Sequence, residues 1–344
     1  MAYTDIDKPT DYFNTKLYTG TGSSNAITGV GFQPDWVWIK CRDDTHNHQV
    51  FDVVRGVHKR MRTDTDGAET ESSESLKSFD SDGFTLGTQA NVNNPSNTFA
   101  SWNWLASNTT ASNTDGSITS TVSANTTSGF SIVSYTGNGS TNQSVGHGLS
   151  QAPEILITKG RTNVQNWAVY GSVIGVDKRL YLNTTDAVDT LSGYLPADTS
   201  SVINLSGTSS MSNINTSSID YITYAFHSVK GYSKIGTYTG NGSTDGTFVY
   251  TGFRPAFVLQ KKSSGTSDWV IYDNKRDPSN VVTQELKPNS SASENSFTNI
   301  DILSNGFKQR ADYSYTNNSG ATYIYMAFAE NPFVTSTGIP ATAR

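Results

Sequence analysis

Charge is scarce in this chain. Asp, Glu, Lys and Arg make up 16% of its 344 residues, against roughly 25% in an average soluble protein. The formal net charge is −6, so there is no electropositive footprint for nucleic acid. The one basic run, 58–62, is followed at once by the carboxylates Asp64, Asp66, Glu69, Glu71 and Glu74. A single cysteine, Cys41, excludes an internal disulfide framework and a multi-cysteine zinc site. No stretch approaches the roughly 18 consecutive apolar residues of a membrane-spanning helix. Residues 1–11 carry Asp5, Asp7, Lys8 and Asp11 and no apolar core, so no signal peptide is expected and synthesis is expected in a cytosol. Helical apolar spacing is missing as well.

Polar uncharged residues fill the gap: 45 Ser, 44 Thr and 29 Asn. Aromatics are plentiful, with 17 Tyr, 15 Phe and 6 Trp, which excludes a disordered chain. Short runs rich in Val, Ile, Tyr, Trp and Thr, bounded by Gly, Asn, Asp and Pro, read as strands.

The strongest feature is a threefold internal repeat. Tyr18-Thr19-Gly20-Thr21-Gly22-Ser23 returns as Tyr135-Thr136-Gly137-Asn138-Gly139-Ser140 and as Tyr238-Thr239-Gly240-Asn241-Gly242-Ser243. Each copy then runs through a glycine and a proline to an apolar strand ending in lysine: Lys40, Lys159 and Lys261. Trp167 and Trp269 stand eight residues past the lysine in copies two and three, where copy one has His48. Each copy closes on an aromatic strand, at 99–104, 221–226 and 323–328. The starting tyrosines are 117 and 103 residues apart, which is domain-sized rather than solenoid-sized. The spacing predicts an all-β fold of three tandem antiparallel β-sandwich domains, jelly-roll-like and related by the internal repeat. The expected parts are an N-terminal docking arm at 1–17 and sandwiches at 18–112, 113–232 and 233–344. Linkers are expected at 107–115 and 228–233, and a fragment from 230 onward is expected to fold alone.

The Gly-x-Gly turns complete no phosphate-binding fingerprint and no helix follows them; glycine there supplies a positive φ. The three lysines share the face of Trp38, Ile157 and Leu259, and read as rim residues whose stems cover apolar surface. Asp43, His46 and His48 form the only segment dense in metal ligands, yet copies two and three keep the pattern without them. They stand as weak metal candidates beside an expectation of no metal and no cofactor. His46-Asn47-His48 spells a nuclease motif without its ββα surroundings. The acidic run fails EF-hand spacing, because Arg62 stands where an acid is required; a weak ion site stays open in the Asp-Gly turns of the acidic run at 64–74, with Gly67, and of Asp80 and Asp82, with Gly83. No facing pair of carboxylates, Gly-x-Ser-x-Gly elbow or His-Glu-x-x-His is found, so no enzyme is expected.

The opening Asp7-Lys8-Pro9-Thr10-Asp11-Tyr12-Phe13-Asn14, the Tyr-Thr-Gly-x-Gly motifs and the closing segment 323–333 resemble a family of repeated β-domains from marine bacteriophage genomes. The resemblance covers essentially the whole chain. It implies a virion structural protein of the tail-fibre or capsid-surface type, placed on the virion surface, and carries over no catalytic residue. The expected function is a non-enzymatic tail-fibre or spike adhesion component binding a host surface glycan. A capsid-surface decoration or connector is the alternative, and a polysaccharide-degrading tail enzyme a minor one. Expected partners are other virion proteins, met through the N-terminal arm, a host surface polysaccharide and further copies of the chain. Neither nucleic acid nor membrane insertion is expected.

Overall fold

The computed structural model describes residues 3–191, 195–207 and 212–340. Strands carry the fold, joined by turns; the two short helical turns among the described residues are Pro9–Asp11 and Ala90–Asn93. In copy one a four-stranded antiparallel sheet runs, in spatial order, Phe13–Thr19, Thr98–Trp104, Trp36–Cys41 and Gln49–Asp52. Copy three repeats the order with Ser233–Thr239, Thr322–Pro332, Phe253–Lys262 and Trp269–Asp273. Copy two has it as Phe130–Thr136, Asp220–Phe226, Ile155–Gly160 and Ala168–Tyr170 inside an eight-stranded sheet. The aromatic closing strand thus lies between the opening strand and the lysine strand every time. Smaller sheets cover the far side of each copy, such as Asn25–Thr28, Gly83–Leu86 and Leu76–Asp80 in copy one.

Alternation along these central strands sends side chains to two different cores. Trp102 and Trp104 point one way and Phe99 the other; likewise Tyr224 and Phe226 oppose Tyr221, and Met326 and Phe328 oppose Tyr323. The first members of each set meet in one hydrophobic cluster common to all three copies, whereas the second members fill three clusters of their own. Rings touch across every pair of copies. Trp36 stacks on Tyr224 with centroids 4.3 Å apart, Trp104 meets Phe257 at 5.7 Å, and Phe226 meets Phe328 at 5.8 Å. The all-β antiparallel expectation holds in this coarse form. Beside the three clusters of their own, the largest rings of all three copies sit in the shared core.

The interfaces between copies follow one cyclic scheme. Trp167 Nε1 donates to the Arg62 carbonyl at 2.8 Å, and Trp269 Nε1 donates to the Tyr181 carbonyl at 2.8 Å. His48 Nε2 takes the same place against the Lys287 carbonyl at 3.0 Å, so the ring of contacts closes.

Among the described residues a second layer of contacts is present at two interfaces and not at the third. Between copies one and two, buried Asp52 holds Arg55 at 2.5 Å and accepts from Tyr224 Oη at 2.7 Å. Arg55 and Arg161 both reach Glu69. Between copies three and one, Asp273 holds Arg276 at 2.5 Å and accepts from Trp102 Nε1 at 3.0 Å, while Arg276 and Arg42 both reach Glu294. At the interface of copies two and three the repeat places Gly171, Ile174, Met326, Val188 and Ser263 in the corresponding positions. The register is unchanged: the backbone N–H of Glu69, Val188 and Glu294 donates to the carbonyl of Arg161, Ser263 and Arg42 respectively.

The N-terminal segment folds back on its own chain. Ile6 is buried in the shared core, Thr4 Oγ1 and the Asp5 N–H both donate to the Lys230 carbonyl, and Asp7 accepts from Ser336. A Cβ on Gly231 would lie 1.8 Å from Thr4 Oγ1, so only glycine lets the segment cross there. From Tyr3 onward the segment is therefore bound to its own chain, where a free docking arm was expected, and Phe13–Thr19 is already a sheet strand. The expected linker at 107–115 contains the strand Ala111–Asn113, paired with Ser120–Asn125; at the second expected boundary a strand begins at Ser233.

Candidate functional site

The weak metal candidates are not brought together. His48 is fully buried, with Nδ1 accepting from Trp38 Nε1 at 2.9 Å and Nε2 donating to Lys287; burial holds its pKa well below the ordinary histidine value. It is a neutral structural ring. His46 Nδ1 lies 3.2 Å from Asn91 Oδ1. Asp43 accepts from Asn97, from Thr98 and from the Cys41 thiol; although burial pushes it up, these bonds hold its carboxyl down at about 2. Among the described residues no group of three or more His, Cys, Asp or Glu is placed to hold a metal ion. The acidic run is likewise dispersed, with Glu69 on Arg55 and Arg161, Glu71 on Lys59, and Glu74 on Lys77. Asp80 accepts from Thr85, and Asp82 accepts from the Gly29 and Gly31 amides.

The Gly-x-Gly turns have partners that their local sequence does not show. Gly22, Gly139 and Gly242 adopt φ of 66°, 72° and 67°. A buried asparagine of the same copy clamps each turn: Asn93 accepts from Thr21 N, Asn215 from Asn138 N, and Asn317 from Asn241 N. Each also donates to the serine that closes the motif, Ser23, Ser140 or Ser243.

The three lysines are not solvated rim residues. Lys40, Lys159 and Lys261 are buried, and their ammonium groups donate to backbone carbonyls of Cys41, Gly160 and Ser267 at 2.6, 2.8 and 2.8 Å. Loss of water around the cation lowers each pKa from 10.5 to about 8. Below about pH 8 both folded and unfolded lysines are charged, and the cost of burying the cation is fully present. Above it the folded lysine is neutral while the unfolded one still binds its proton, so stability rises with pH. The melting temperature is therefore expected to climb between about pH 7.5 and 9, before the raised thiol of Cys41 and the raised buried tyrosines act in the opposite sense. A scan of melting temperature against pH checks this; a flat or falling profile over that interval refutes it.

What the fold does assemble at the surface is a groove of about 400 Å³. One wall is Tyr3 of the folded-back N-terminal segment. The other is Tyr250 with Thr251 and Gly252, and the floor is the connection from copy two to copy three, with Lys230, Ser233 and Lys234. Tyr3 and Tyr250 are 62% and 61% exposed, which is high for rings in a protein that buries all six of its tryptophans. Tyr250 lies on the edge strand Phe248–Tyr250, whose inward residue is Val249. No carboxylate lines the groove among the described residues. Two phenol faces, the Lys234 ammonium and hydroxyls suit a polar ligand with apolar faces and negative charge. None of these residues stood out in the sequence. The available signal was a pair of large rings, Phe248 and Tyr250, at the outward positions of an alternating strand.

The sequence profile of a family described as "Domain of unknown function (DUF7483)" matches residues 8–332. No curated protein matches the chain, and no solved structure does.

Proposed function

We propose, for a chain that belongs to the DUF7483 family of domains of unknown function, a non-enzymatic role in a bacteriophage particle: a tail-fibre or spike component at the virion surface that binds an acidic host glycan. The groove between Tyr3 and Tyr250 carries this reading, because aromatic faces cover the apolar faces of pyranose rings while Lys234 meets a sugar carboxylate. The bacteriophage setting rests on the sequence resemblance. In the same reading the three copies are jelly-roll-like lobes of one repeat, and the chains assemble into homo-oligomers. Two acids whose pKa burial raises, Asp35 and Asp198, are engaged by backbone amides, which supports binding rather than bond cleavage. Burial raises Asp35 to about 6 while Ala106 N and Asn108 N donate to it, and raises Asp198 to about 7 while Asn204 N donates to it.

Among the described residues the groove forms once, because the N-terminal segment that makes one wall passes over the connection from copy two to copy three. Avidity then comes from several chains, and each site is expected to be weak, on the order of millimolar. The protein should be retained on an immobilised polyuronate more strongly than on neutral dextran. Tyr250→Ala or Lys234→Glu should lower retention by about tenfold, with no change in polymer length over time. Shortening of the polymer would make the protein an enzyme. Retention unchanged in both variants would remove the groove from the reading, and failure to bind by a protein that coats capsids would favour the decoration role.

A further inference from the structure

The pseudo-threefold scheme builds the same inter-copy position three times and fills it twice. Between copies one and two it is occupied by the Arg55–Glu69–Arg161 set, and between copies three and one by Arg276–Glu294–Arg42. Between copies two and three those positions are Ile174, Val188 and Ser263, and a cavity of about 350 Å³ opens there. Its floor is aliphatic: Val173, Ile174, Val188 and Ile324. Thr237 and Thr322 present exposed hydroxyls along one wall. Among the described residues one charged group borders it, Lys178.

That lysine is itself a remnant of the repeat. In copy one Lys59 faces Glu71 across two short strands and pairs with it at 2.8 Å. In copy two the cation is kept as Lys178, but the residue facing it is Thr190, and Lys178 makes no ion pair among the described residues. The position has thus lost three internal charged groups and one acid, and retained one cation at its mouth.

We propose that this vacated position is a binding site for a small anionic amphiphile, an aliphatic carboxylate whose chain lies on the Val173–Ile174–Val188 floor and whose carboxylate meets Lys178. Charge complementarity selects the head group, because among the described residues Lys178 is the one ionisable side chain that lines the cavity. The aliphatic floor selects a hydrocarbon chain over a sugar ring, which would call for an aromatic platform. The site is separate from the Tyr3–Tyr250 groove and does not depend on it.

Octanoate is the probe, added to the full chain and followed by calorimetry and by melting temperature. Binding is expected with a Kd on the order of 0.1–1 mM and a rise in melting temperature with ligand concentration. Lys178→Met should weaken it by about tenfold. The pair Val188→Glu with Ser263→Arg, which reinstates the ion pair of the other interfaces, should abolish it. Should that double variant fold poorly, the surface change Lys178→Met still decides the matter. Octanol bound as tightly as octanoate, a Lys178→Met or folded Val188→Glu/Ser263→Arg protein that binds like the parent, or a parent that shows no response at about 10 mM would each overturn the proposal.

Discussion

A fragment spanning 230–344 is expected not to fold alone, although it contains a complete copy of the repeat. Cutting it free exposes the face that copy three gives to the shared core, including Phe257, Leu259, Trp269, Ile271, Met326 and Phe328, each at most 1% exposed in the intact chain. Burying such a side chain contributes about 1.5–3 kcal/mol. Exposing these six therefore removes about 9–18 kcal/mol, comparable with the whole stability of about 5–15 kcal/mol that a native protein has. The private cluster of copy three, around Tyr323, Phe307 and Val258, is left to hold a sheet whose other face is bare. Far-ultraviolet dichroism and a thermal scan of the fragment should show no cooperative transition, and added fragment should not melt as the intact chain does. A sharp, reversible transition in the isolated fragment would show that each copy is a self-sufficient domain. Trp36→Ala in the full chain tests the same core more gently. Its ring stacks on Tyr224 and packs against Trp104 and Phe130, and its removal should cost about 3–5 kcal/mol.

Arg55→Ile should destabilise the chain by about 3–5 kcal/mol, because it strands a buried carboxylate. Asp52 has no exposed surface, and Arg55 Nε at 2.5 Å is its cationic partner. The remaining donors, Tyr224 Oη and the Arg55 amide, do not neutralise it. The interface of copies two and three shows what a repaired version looks like, with Gly171, Ile174 and Met326 in place of Asp52, Arg55 and Tyr224. The triple variant Asp52→Gly, Arg55→Ile, Tyr224→Met removes the buried Asp52–Arg55 pair and its hydroxyl partner, leaves Glu69 on Arg161, and should recover about half or more of the loss. Chemical denaturation of the three proteins measures both steps. Equal stability of Arg55→Ile and the parent, or a triple variant worse than the single one, would show that the pair is not a coupled unit.

The lysine register was legible, since Lys40, Lys159 and Lys261 fall on the face of the core residues two before them. Their depth was not. A two-residue period assigns a side chain to a face, while carbonyls from the following loop and, for Lys261, from Thr185 of copy two decide whether water reaches it. His48 was legible as the counterpart of Trp167 and Trp269, but its bond to Lys287 spans 239 residues. The groove was least legible, because Tyr3 and Tyr250 lie 247 residues apart in the chain and neither lies in a motif.

By itself the sequence determined that this protein is all-β, antiparallel and threefold repeated, where its turns and central strands lie, and that no long apolar helix or disulfide framework holds it. These properties are local: turn chemistry, strand alternation and composition act over a few residues. Only the tertiary structure decided that three repeats share one core, that two of their interfaces are charged and one is vacated, and that Tyr3 meets the third copy. Central strands apolar on both faces require two coverings, and alternation cannot name either one. In this chain one covering is the copy's own outer sheet and the other is the two remaining copies.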